Sequence, residues 1–266
     1  MRRYLALVRE ALSLATMAPV SVAAHIAGSV VEVAVVAAAL RAMLGLGYAS
    51  SVTIAMIVSS PAAAYVRVFG FPQNLIPEAS LPPGALRRLE YLVQLLVGAV
   101  LSPLYVLALT AAAAALGVAH WGALNPLYIV ALSIPPMLNR GGVSSLLEYL
   151  RAVAMKRLRM GYQMWGPPAT ARETAGAFFE ILWSRVVYSI VFTVLTPVYY
   201  SMSALSPWLQ ALAAVLNPYA LCIETARSIL ASGYAPPATL LALAALSAFW
   251  LGVRMALAEY VWGVYG

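Results

Sequence analysis

Three long stretches of this chain carry no formal charge. Residues 91–139, 186–223 and 228–253 contain no Asp, Glu, Lys or Arg. Each exceeds the roughly 20 mostly apolar residues that a helix needs to cross a hydrocarbon core. A soluble domain spends about a quarter of its residues on charge. This 266-residue chain has 9% charged and 63% hydrophobic residues. The fold class is therefore all-α and polytopic: a membrane protein built from spanning helices, with residues 1–266 forming one membrane domain.

The pattern predicts six spans, at about 20–42, 49–67, 90–117, 124–139, 178–201 and 237–260. Arg9 and Glu10 interrupt the apolar stretch that a signal peptide needs. Residues 2–17 read instead as an amphipathic helix at the membrane surface, with Tyr4, Leu5, Val8 and Leu12 on one side. Span four is expected to end at Arg140-Gly141-Gly142. A basic cytoplasmic segment, 140–175, follows. Ser145 and Glu148 have the spacing of a capping box, and so do Thr170 and Glu173. The second pair should start a helix that runs into span five. In the segment 202–235, Ser206-Pro207 and Asn217-Pro218 each set a capping side chain before a proline suited to a first helical position. Two short helices, about 207–216 and 218–231, are expected there. They are too short to cross a bilayer and read as re-entrant on the outer face before span six.

The 16 Lys and Arg residues divide between two sides. Arg2, Arg3, Arg9, Arg67, Arg87, Arg88, Arg140, Arg151, Lys156, Arg157, Arg159 and Arg172 fall on one side; Arg41 and Arg227 fall on the other. Arg185 and Arg254 sit near span ends. Positive residues favour the cytoplasm. Both termini are thus expected inside, in a multi-pass protein of the cytoplasmic membrane. The net charge of +7 is then mostly topological. A nucleic-acid footprint at 151–159 is the lesser reading.

Several chemistries have no residues to carry them. Lys156 is the only lysine, and no glycine-rich phosphate loop surrounds it. The chain has no Asp, its His25 and His120 lie far apart, and Cys222 is its single cysteine. No metal site, internal disulfide, cofactor or catalytic triad is expected, and any ATP would be bound by another chain.

One stretch has a recognisable order. Leu205-Ser206-Pro207-Trp208-Leu209 is followed by Asn217-Pro218 and then by Glu224 and Arg227. Over about 180–260 this resembles the membrane subunit of ABC-2-type ABC transporters. In that family an outer Leu-Pro-x-Trp-Leu helix precedes Asn-Pro and a helix ending in Glu-x-x-Arg. The resemblance implies a non-enzymatic exporter permease, paired with a second copy or a similar chain and driven by separate ABC-type ATPase subunits. It implies an outer re-entrant gate at Pro207, Trp208, Asn217, Pro218, Glu224 and Arg227. ATPase coupling would fall to inner-side residues Arg9, Glu10, Arg87, Arg88, Glu148 and Arg151. The basic stretch 141–170 departs from the family pattern, and the family's acidic-glycine phrase is hardly visible in 77–88. The other reading is a channel or scaffold of a secretion or DNA-transfer machine.

Within span one, Glu32 lies mid-helix, with His25 seven residues earlier on the same face. An intramembrane acid is costly unless it meets a partner or water. It marks either a functional site or a helix–helix hydrogen bond, such as one at a subunit contact.

Overall fold

The computed structural model describes residues 19–68, 83–158, 170–198 and 200–265. Among these the chain is all-helical, without strands. The segment 2–17, with Arg9 and Glu10, lies outside the described residues, as do 159–169. Eight helices follow in order: α1 (Pro19–Leu44), α2 (Leu46–Val68), α3 (Pro83–Ala115), α4 (Pro126–Arg157), α5 (Ala171–Leu182), α6 (Pro207–Leu216), α7 (Ala220–Ser232) and α8 (Pro237–Tyr265). Four stretches are long and apolar enough to cross a membrane: Ala23–Leu44, Gly98–Ala115, Ala171–Val194 and Pro237–Leu257.

Local chemistry sets the joints. Gly45, at φ +87°, turns α1 into α2 within one residue, a conformation that side chains resist. Asn125 starts α4: its Oδ1 accepts from Leu127 N at 2.9 Å, and Pro126 takes the first position. Thr170 and Glu173 form the expected reciprocal capping box at the start of α5. That helix runs on through two π turns, Trp183–Val187 and Ile190–Val194, and stops at Val194 rather than near 201. Gly233, at φ +71°, closes α7.

The helix break expected at Arg140-Gly141-Gly142 is absent. α4 continues unbroken through Arg140, Gly141 and Gly142 to Arg157. Ser145 is not an N-cap, since its hydroxyl donates to Gly141 O one turn back at 3.0 Å. The reason lies across the interface with α8. A Cβ on Gly142 would stand 2.7 Å from Trp250 Cβ, and one on Gly141 would stand 3.0 Å from Arg254 Cζ. The two glycines admit a neighbouring helix at close range, a use typical of helices packed in lipid. Arg140, assigned to a loop by its sequence, therefore lies inside a helix.

Around this contact sit two apolar clusters. The larger gathers Val33 of α1, Ile57 and Val58 of α2, Val106 and Leu109 of α3, Leu132 of α4, Ile223, Ile229 and Leu230 of α7, and Leu243 of α8. The smaller joins Val143 and Leu147 of α4 to Val191 and Trp250. Successive long helices run in opposite directions. The Gly45 turn, residues 116–125, the α5–α6 connection and Gly233 thus gather at one end, while the described chain ends Pro19 and Tyr265 lie at the other.

Candidate functional site

The corner end holds the residues that the sequence singles out. Glu224 and Arg227 stand one turn apart on α7 and pair at 2.7 Å, with about a quarter of each side chain exposed. Each also reaches past the other. Glu224 Oε1 accepts from Met202 N at 2.8 Å. Arg227 Nη2 donates to Pro197 O and, at 3.1 Å, to Val198 O. Together the two side chains clasp the connection that leaves α5. Tyr200 lies beside them and donates its hydroxyl to Val194 O at 2.9 Å. Burial raises its phenol above the ordinary pKa, and the nearby Arg227 charge works against that rise.

Asn217 ties the same pieces from below. Its Nδ2 donates to Val191 O of α5 and to Thr196 Oγ1, while its Oδ1 accepts from Tyr219 N at 2.8 Å. It thus makes a local turn just ahead of α7, whose first residue is Ala220, and orders Pro218. Pro218 O in turn receives Asn139 Nδ2 of α4 at 3.3 Å. Ser206 behaves differently: its hydroxyl makes no cap bond, and Pro207 alone sets the start of α6. Trp208 projects from α6, 67% exposed.

The far end of α7 is fastened by groups that the sequence reading passed over. His120 N donates to Leu230 O at 2.6 Å, and a Cβ on Gly122 would stand 3.2 Å from Gly233 Cα. Arg41 Nη1 donates to Leu116 O at 2.9 Å, which links the end of α1 to the same corner. A lone histidine and a lone glycine carry no signal in sequence, because their meaning lies in the crossing of two turns.

At the opposite end, Arg151 of α4 pairs with Glu180 of α5 at 2.9 Å, each about a quarter exposed. Glu148 is half-buried one turn earlier, and Arg87 and Arg88 lie in the first turns of α3. The site residues named from sequence thus fall into separate places. Pro207, Trp208, Asn217, Pro218, Glu224 and Arg227 belong to the α6–α7 stretch; Arg151 and Glu148 lie toward the far end of α4; His25 and Glu32 are exposed on α1. Among the described residues no three of His, Cys, Asp or Glu converge as metal ligands do. No family model, curated protein or solved structure matches this chain.

Proposed function

We propose that this chain is the membrane permease subunit of an ABC-2-like exporter, moving a substrate outward across the cytoplasmic membrane on ATP hydrolysed by separate ABC-type ATPase subunits. The observation that carries the reading is the Glu224–Arg227 clasp. The resemblance assigns these two residues to the outer exit, and they hold the connection leaving α5 against the short helix α7. In this reading α2 and α4 also cross the bilayer, which makes six spans, and α6 and α7 sit re-entrant on the outer face. Both termini are cytoplasmic.

Length supports a cytoplasmic extension. α3 and α4 have 33 and 32 residues. At about 1.5 Å per residue each outruns a hydrocarbon core of about 30 Å. The surplus of α3 bears Arg87 and Arg88. That of α4 bears Glu148, Arg151, Lys156 and Arg157. An ATPase pressing on these extensions would move α4 as a rigid rod. The motion would reach the outer end through Asn139, which donates to Pro218 O at the start of α7. Two copies would line the pathway between them, and no covalent chemistry is required of this chain.

The test is partner dependence combined with sidedness. Purified alone, the chain should hydrolyse no ATP; co-expressed with an ABC ATPase it should form an isolable complex. A photo-crosslinker at Lys156 should capture the ATPase, and one at Ser203 should not. In a Cys222→Ala background, Ser203→Cys should label from outside intact cells and Lys156→Cys should not. Capture of the ATPase only from Ser203, or outside labelling of Lys156→Cys, would overturn the reading.

A further inference from the structure

Arg41 stands against apolar walls near the end of α1. It is exposed, and among the described residues it makes no ion pair. Its hydrogen bond runs from Nη1 to Leu116 O at 2.9 Å. A guanidinium has more N–H donors than this one bond engages, so most of the fork is open. The side chain is nevertheless held in place. α1 ends at Leu44 and α3 at Ala115, and the bond to Leu116 O ties these two helix ends together. Helix C-termini favour a cation. Their carbonyls carry only partial charge, which seats the guanidinium without neutralising it.

Beside it lies a cleft of about 420 Å³, lined by Ala37, Ala38, Arg41, Ala42, Leu116 and Val118. Small-ligand sites occupy about 300–1,000 Å³. The alanines leave the space, because each stops at Cβ. Apart from Arg41, every lining side chain is hydrocarbon. Ala38 and Ala42 are exposed, so the cleft opens onto the outside of the bundle.

The same helices give its depth. The apolar stretch Ala23–Leu44 begins 18 residues before Arg41, a rise of about 27 Å at about 1.5 Å per residue. A hydrocarbon core is about 30 Å thick. A second apolar stretch, Gly98–Ala115, ends one residue before Leu116. The bond between Arg41 and Leu116 O thus brings the ends of both stretches to one level, at the edge of the hydrocarbon. Ala37 and Ala38 lie about one turn deeper than Arg41 on α1.

We propose that this cleft holds one acidic phospholipid, its phosphate on Arg41 and an acyl chain along Ala37 and Ala38. Phosphate oxygens match the planar fork of an arginine. A headgroup of net negative charge neutralises the cation, whereas a zwitterionic one brings a second cation beside it. The apolar wall continues from the guanidinium into the hydrocarbon, as a tail does and a free phosphate does not. The inference goes beyond the transport reading and rests on membrane embedding alone.

The experiment uses the full chain in detergent micelles, titrated with phosphatidylglycerol or with phosphatidylcholine of the same chains, and counts bound lipid by native mass spectrometry. One phosphatidylglycerol should bind at concentrations where phosphatidylcholine does not. Glycerol phosphate, the same headgroup chemistry without tails, should not displace it. Arg41→Gln keeps an amide donor for Leu116 O and should weaken binding of that lipid about tenfold. Ala38→Phe keeps the cation, fills the cleft, and should weaken it as well. Thermal unfolding without added lipid confirms that both variants are folded, and the comparison of lipids on the unaltered chain needs no variant. Equal binding of the two phospholipids would overturn the proposal. So would phosphatidylglycerol binding unmoved by Arg41→Gln and Ala38→Phe. Displacement by glycerol phosphate would make the cleft a site for soluble phosphates and overturn the lipid assignment.

Discussion

α6 and α7 follow each other in sequence and are similar in length, yet the fold treats them oppositely. α6 buries one side chain, Ala213. α7 buries Ala220, Cys222, Ile223, Thr225, Ala226, Ile229 and Leu230. Its start is held by Asn139 and Asn217, its middle by the clasp, and its end by His120. α6 is held at its C-terminal end, where Trp250 Nε1 donates to Val215 O at 3.1 Å. α6 is also the more apolar in composition: it has no charged residue, whereas α7 carries Glu224 and Arg227. In a bilayer apolarity does not drive a helix inward, because lipid is as apolar as the core. What places α7 inside is its polar groups, each of which finds a partner only in one position.

The largest effect should come from truncating the α7 core. Leu230→Ala or Ile223→Ala should each cost about 3 kcal/mol, while Leu212→Ala on α6, where the side chain is 38% exposed, should cost under about 0.5 kcal/mol. Equilibrium unfolding in mixed micelles gives both numbers, and equal costs would erase the contrast. Next comes the pair of residues before the two prolines. Asn217→Ala leaves Val191 O and Tyr219 N without their bonds and should cost about 2 kcal/mol. Ser206→Ala, whose hydroxyl caps nothing, should be silent in the same assay.

Gly233→Ala should cost about 1–2 kcal/mol, since an added Cβ would meet His120 Nδ1 at 2.5 Å in a left-handed conformation. A smaller cost than that of Asn217→Ala, about 1 kcal/mol, is expected from Glu224→Gln, which keeps an acceptor for Met202 N but loses the charge. Here the informative result is the exchange Glu224→Arg with Arg227→Glu. It preserves opposite charges, but the backbone partners of both residues lose their complement. It should therefore fail to recover stability. Recovery would mean that the ion pair matters and the clasp does not.

Much of the architecture was legible because charge-free length is a one-dimensional signal. Helix starts at Thr170 and Pro207 were legible too, since they depend on neighbours in sequence. What failed was the pair Gly141-Gly142 with Ser145 and Glu148. These residues have the same cap spacing as Thr170 and Glu173, and only contact with α8 tells the two cases apart. Glycine ends a helix when nothing crosses it and admits a neighbour when something does. At the corner the spacing of Glu224 and Arg227 announced a pair. Their hold on Pro197, Val198 and Met202 depends on how the chain folds back, and no spacing encodes it.

The π turns of α5 have a consequence for direction. In an α-helix of 3.6 residues per turn, side chains four apart creep round the axis by about 40° at each step. The exposed residues Phe178, Leu182, Val186, Ile190 and Val194 are spaced by four throughout. In a uniform α-helix such a series would spiral away from any flat neighbour. Wider turns need more residues per revolution, and α5 has two of them, spaced along that series. They wind the series backward as the α-helical steps wind it forward. The bare side chains thus keep to one meridian of the rod, and a straight neighbour can lie along it from end to end without coiling.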